Sequence, residues 1–166
     1  MRHIIGILLQ NESGALNRVA GLFTNRGFNI ESLSVSATDD PTVSRITLVT
    51  KGSNDVVNQI VSQLNKLIDV VNVDDMTRGG HVERELALVK LRVQGGQLTA
   101  LDGILQAAGG KLLDATDDLI VAEMTGNESE VTAFIAEVAT KAELVEVVRS
   151  GALALGRDGR TLRDVA

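Results

Sequence analysis

Apolar positions along the chain switch between two periods, and the switches predict an order of elements. Residues 4–9 form a short, nearly continuous apolar run rich in β-branched side chains, which suits a strand buried on both faces or central in a sheet. Asn11-Glu12-Ser13-Gly14 is a turn cluster. Leu16, Val19, Ala20, Leu22 and Phe23 then follow helical spacing, and Gly27 supplies a stop. Residues 28–37 predict a second strand, with Leu33, Val35 and Ala37 alternating against Ser34 and Ser36. The spacing slips between Ile30 and Leu33, which predicts a bulge or an irregular start. Asp39-Asp40-Pro41 is a turn and holds the only proline. Residues 43–49 predict a third strand. Ser53-Asn54-Asp55 offers an N-cap, and Val57, Ile60, Leu64 and Leu67 share a helix face. Residues 70–76 predict a fourth strand, completing β-α-β-β-α-β.

Arg78-Gly79-Gly80-His81 is the best linker. The same order then recurs about 80 residues on. A strand is predicted over 86–93 and a helix over 97–108, with Leu98, Leu101, Ile104 and Leu105 on one face and a stop at Gly109-Gly110. Residues 111–116 and 119–125 predict a hairpin across Asp117-Asp118. Val131, Phe134, Ile135 and Val138 mark a second helix, capped near Asn127 or Ser129. A last strand covers 144–150, and residues 152–155 extend it past Gly151. The expected fold class is α+β: two ferredoxin-like βαββαβ domains, 1–79 and 80–166, with a frayed tail from about 156. In a ferredoxin-like sheet the order is 4-1-3-2, so the second strand is an edge. Residues 28–37 hold neither Pro nor Lys, and an edge so unprotected is expected to pair antiparallel with a second copy, giving an eight-stranded sheet across a dimer.

Composition narrows the function. The chain has 166 residues, with 16 Lys plus Arg against 22 Asp plus Glu, a net charge of −6. Most of that charge lies after residue 79. An acidic chain lacking Trp and Tyr argues against nucleic-acid or anionic-membrane binding. The absence of Cys excludes disulfides, thiolate metal sites and Cys nucleophiles. No apolar run approaches the ~18–20 residues of a membrane span. The start, Met1-Arg2-His3-Ile4, enters a strand pattern without a cleavage site, so the expected location is cytoplasmic. Catalytic material is scarce: His3 stands at a strand start and His81 in the linker. Asp39-Asp40, Asp74-Asp75 and Asp117-Asp118 are adjacent pairs whose side chains diverge in extended chain. His81, Glu83 and Glu85 share a strand face, but a metal there would lack a fourth ligand. No phosphate-cradling glycine motif is present.

The informative spot is Asn11-Glu12-Ser13-Gly14-Ala15-Leu16, which joins a central strand to a helix. Gly14 lets a ligand approach the backbone, the N–H groups of a helix start favour a carboxylate, and Asn11 offers both donor and acceptor. A plain capping turn is the competing reading.

These residues resemble a known family. The series runs from 11–16 through Gly21-Leu22-Phe23, Arg26-Gly27-Phe28-Asn29-Ile30-Glu31-Ser32-Leu33, Thr38-Asp39-Asp40-Pro41 and Ser44-Arg45. It is similar to the ACT domain of the small, regulatory subunit of acetohydroxyacid synthase (acetolactate synthase). Gly80-His81-Val82-Glu83-Arg84-Glu85-Leu86, Leu88-Val89-Lys90 and Arg149-Ser150-Gly151 resemble the same family's C-terminal domain. The resemblance implies a non-catalytic chain that binds and activates a thiamine-diphosphate-dependent catalytic subunit. It also implies feedback inhibition by valine or a related amino acid in branched-chain amino-acid biosynthesis. Thiamine diphosphate, magnesium and FAD would belong to the catalytic partner, and no cofactor to this chain. Carried over, the effector site comprises Asn11, Ser13, Gly14, Ala15, Leu16, Asn29, Ile30 and Leu33, the last three near the edge strand that pairs across the dimer. The resemblance departs at Ser13, where many ACT domains carry Pro. Two other classes stand beside it: a stand-alone amino-acid-binding ACT sensor not tied to this enzyme, and a small enzyme on a ferredoxin-like scaffold.

Overall fold

Strand β1 (Arg2–Gln10) is buried from His3 through Leu9, because it runs inside a sheet that is covered on both faces. The computed structural model describes residues 1–157, 159 and 161–163. It forms two units, Met1–Val82 with Ala152–Ala166, and Glu83–Gly151.

In the first unit β1 leads to α1 (Ala15–Asn25), β2 (Ser32–Ala37), β3 (Val43–Lys51), α2 (Asn54–Leu64), β4 (Val70–Asp75) and a 3-10 turn (Met76–Arg78). The antiparallel sheet has the order β2-β3-β1-β4, as the sequence pattern predicts. Ile5, Ile7, Leu9, Ile46, Leu48 and Val73 line the face covered by Val19 and Phe23 of α1 and Val57 and Ile60 of α2. Ser53 caps α2 as expected, its side chain accepting from the Val56 N–H. Strand β2 starts at Ser32, not at 28. Residues 29–31 are nevertheless held to β3, since the Glu31 N–H donates to Val49 O at 2.8 Å and Thr50 Oγ1 donates to Asn29 O at 2.7 Å.

The second unit holds most of β5 (His81–Arg92), then α3 (Gln97–Ala108), β6 (Lys111–Thr116), β7 (Leu119–Gly126), α4 (Glu128–Ala139) and β8 (Glu143–Arg149). Its sheet order, β6-β7-β5-β8, repeats that of the first unit. Val89, Leu91 and Ile120 pack against Leu101 of α3 and Val131 and Phe134 of α4. Asn127 and Glu130 form a reciprocal capping box at the start of α4.

The terminal segment departs from expectation. Rather than closing the second domain and fraying from about 156, residues from Ala152 onward belong to the first unit. Strand β9 (Leu153–Gly156) places Ala152 and Ala154 against Ile4, Val49 and Met76, on the sheet face opposite the helices. Leu162 is buried there too, so close that a Cβ on Gly6 would lie 3.1 Å from its Cδ1. Arg45 Nη2 donates to Ala154 O at 2.7 Å, and the Arg157 N–H to Gly80 O at 2.8 Å. The physical reason is that a face bearing Ile4, Val49 and Met76 needs a cover. Asp158, Arg160 and residues 164–166 of the expected tail lie outside the described residues.

No helix among the described residues is long and apolar enough to cross a membrane. Among them, too, no group of three or more His, Asp or Glu is placed to hold a metal ion, and His81, Glu83 and Glu85 do not form one.

Candidate functional site

The loop after β1 is pinned on both sides. The Gln10 N–H donates to Asp69 O at 2.8 Å and the Asn11 N–H to Thr42 O at 2.7 Å. The Asn11 side-chain amide donates to Pro41 O at 2.9 Å, which leaves its carbonyl oxygen as an acceptor. Gly14 ends the loop in a left-handed conformation, φ 84°, that an L side chain resists. It is the N-cap of α1 and contributes no side-chain cap, and the first turn holds no acid. The helix therefore starts with N–H groups that no side chain neutralises.

The predicted residues of this loop have different capacities. Ser13 is exposed, and Leu16 is exposed enough to offer apolar surface to a ligand. Ala15 is buried, and its N–H already donates to Glu12 O at 3.2 Å, so it positions the turn rather than touching a ligand.

Arg18 is a residue that the sequence pattern did not single out. It lies one turn into α1, and its guanidinium makes two hydrogen bonds to the buried carboxylate of Asp69, through Nε to Oδ2 and through Nη2 to Oδ1, the latter at 2.8 Å. A Cβ at Gly14 would sit 3.2 Å from Arg18 Nη1. The Arg18 bond holds the Asp69 carboxyl below its ordinary value. Asp69 offsets the Arg18 charge, and Arg18 Nη1, which takes no part in that pair, is left as a donor beside the open helix start.

Asn29, Ile30 and Leu33 are elsewhere. Gln10 pairs with Val43 at one end of β3, whereas Ser32 pairs with Val49 toward the other. Helix α1 spans the gap, and its eleven residues measure roughly 16 Å. Within one chain the two halves of the predicted set are therefore at opposite ends of the sheet. The Asn29 amide donates to Glu31 Oε1 at 2.8 Å, and Glu31 Oε2 accepts from Lys51 Nζ at 2.9 Å. Ile30 and Leu33 are partly buried against the helix-covered core. Strand β2 pairs only with β3 among the described residues, and Val35, Ser36 and Ala37 are exposed along it.

Residues 5–72 match the model of the AHAS small subunit-like ACT domain, and residues 84–158 match the model named small subunit of acetolactate synthase. The chain is 44% identical over 163 residues to the acetolactate synthase isozyme 3 small subunit of Escherichia coli K12, covering 98% of this chain and 100% of that one. It is 39% identical to a probable acetolactate synthase small subunit of Archaeoglobus fulgidus, covering 96% and 99%. A crystal structure of the acetolactate synthase small subunit from Thermotoga maritima superposes with a TM-score of 0.86 at 32% identity, covering 96% of this chain and 99% of that one.

Proposed function

The chain belongs to the family of acetolactate synthase small subunits, and from that premise we propose that the loop before α1 binds valine or a related branched-chain amino acid. The chain is the non-catalytic, regulatory subunit of a transferase, and its partner is the catalytic subunit. It activates that partner and lowers its activity when the pathway's product accumulates. Thiamine diphosphate, magnesium and FAD reside in the partner.

The observation that carries this reading is the start of α1. Gly14 leaves the helix start without a side-chain cap and the approach open, while Arg18 Nη1, not engaged by Asp69, offers a further donor beside it. A carboxylate fits there. The Asn11 carbonyl oxygen takes the ammonium, and Leu16 lies against the aliphatic group.

The split between the loop and residues 29–33 supports a site shared by two chains. If β2 pairs antiparallel with β2 of a second copy, the partner's strand start comes to the end where Ala37 lies. Ala37 pairs with Ser44, one residue from the Val43 that pairs with Gln10. Asn29, Ile30 and Leu33 then reach the loop from the neighbouring chain. Effector binding and dimerisation strengthen each other by linkage.

Calorimetric titration with valine, leucine, isoleucine and glutamate tests this. Saturable valine binding that Gly14→Asp abolishes is the expected result, because a carboxylate side chain would occupy the effector's place. Normal valine feedback by a catalytic subunit reconstituted with Gly14→Asp would overturn the site. Failure to co-purify with a thiamine-dependent enzyme would favour a stand-alone sensor.

A further inference from the structure

The sheet face opposite α1 and α2 carries a cavity of about 430 Å³ within the first unit. Small-molecule sites commonly measure about 300–1,000 Å³ and combine apolar walls with a few placed polar groups. Met76, Leu155 and Leu162 give this one apolar walls, and Arg45, Asp74, Asp75 and Arg78 bring two charges of each sign.

One pair of those charges is already engaged. Asp75 Oδ2 accepts from Arg78 Nε at 3.2 Å, and its Oδ1 from the Thr77 N–H at 3.2 Å. The other pair is not. Arg45 Nη2 contacts Ala154 O and the Met76 sulfur, and among the described residues Arg45 has no ion-pair partner. The Asp74 carboxylate makes neither a hydrogen bond nor an ion pair among the described residues. Burial pushes the Arg45 guanidinium below its ordinary value, and the field of Asp74 acts the other way. Arg45 pairs with Leu8 on β3 and Asp74 with Gly6 on β4, so β1 runs between them. Two strand spacings and a two-residue offset along β1 set their backbones about 12 Å apart. Between them the space over Gly6 is taken by Leu162 and Met76, whose Cδ1 and Sδ would stand 3.1 and 3.3 Å from a Cβ there, so these two side chains form the apolar wall between the charges.

We propose that this cavity binds a free aliphatic amino acid as its zwitterion, with Arg45 taking the carboxylate, Asp74 the ammonium, and Met76 and Leu162 the side chain. A lone anion or a lone cation would satisfy one of the two free groups and be repelled by the other; a zwitterion satisfies both. The site is separate from the loop before α1 and does not depend on it.

The test is an amide NMR titration of the full ¹⁵N-labelled chain with valine, leucine and methionine, each taken separately. Saturable shifts at Gly6, Gly80 and Gly156 are expected for at least one of them. Asp74→Asn and Arg45→Gln should each weaken that response roughly tenfold, the loss expected for one charged hydrogen-bond partner. Gly14→Asp should leave it intact. Asp74→Asn disturbs no other contact, so it reads the site even if Arg45→Gln loosens the segment at Ala154. Several results would overturn the proposal. These are no cavity shifts with any of the three, shifts that persist at full strength in both cavity variants, or shifts that disappear in Gly14→Asp.

Discussion

Arg149 and Glu85 form a two-bond ion pair inside the second unit, Nε to Oε1 at 2.8 Å and Nη2 to Oε2 at 2.7 Å. Only 5% of the Glu85 side chain is exposed. The Arg149 side chain also reaches Thr132 of α4 at 3.4 Å, so one guanidinium ties helix to sheet. Arg149→Ala leaves a buried carboxylate without its partner and should destabilise the unit by about 3 kcal/mol. Urea unfolding reads this directly, and adding Glu85→Gln to Arg149→Ala should recover part of the loss.

Asp69 gives the first unit a dependence on acid. Its folded value lies below the ordinary 3.8 because Arg18 hydrogen-bonds the charged form. A depressed carboxyl contributes stability that is fully present above the unfolded value and is lost as pH falls through the folded one. Thermal midpoints measured from pH 6 down to pH 2 should drop for the wild type below about 4. The drop should be shallower in Asp69→Asn. Equal slopes would mean that the Arg18 bond makes no difference to folding.

Gly14→Ala separates strain from charge at the helix start. The φ of 84° costs an alanine about 1–2 kcal/mol, and the added methyl crowds Arg18. The expected outcome is a lower urea midpoint together with weaker valine binding. Valine binding should fall further in Gly14→Asp, which adds charge.

Leu162 tests whether the terminal segment belongs to the first unit's fold. Leu162→Ala removes a buried side chain from above Gly6 and Met76 and should cost about 2 kcal/mol or more. An unchanged unfolding midpoint is what a frayed tail would give.

Val35→Lys places a charge on the exposed edge strand. Sedimentation should show a dimer for the wild type and a shift toward monomer for the variant, with valine affinity falling in parallel. A dimer that persists unchanged would remove the edge-strand pairing.

Helix positions, the cap at Ser53 and a cap at Asn127 or Ser129 were legible in the sequence because each rests on neighbours within one turn, whereas sheet order followed from the fold class that the βαββαβ order implies. The slip between Ile30 and Leu33 also showed, and β2 indeed starts late, at Ser32. What the residues hid was long-range. The run 4–9 suits a strand buried on both faces or central in a sheet, but nothing local names the second cover: residues 152–155 alternate in a way that reads as an extension of the last strand, and Leu162 follows among charged and small residues. Arg18 and Asp69 are 51 residues apart, and nothing local in either marks the other. The loop at 11–16 stood out because Gly14, a helix start and Asn11 fall within one short stretch between a strand and a helix, a local signal that a plain capping turn would also give.

The return of Leu153–Gly156 to the first unit makes the second unit an insertion rather than an appendage. Synthesis runs from the N-terminus. Strand β1 therefore emerges early, yet one of its faces stays open to solvent until Leu162 has left the ribosome. In the interval the Glu83–Gly151 unit can fold in full, whereas the unit that was started first is completed last. Until the terminal segment arrives, the apolar side chains of Ile4, Val49 and Met76 lack the cover that Ala152 and Ala154 give them.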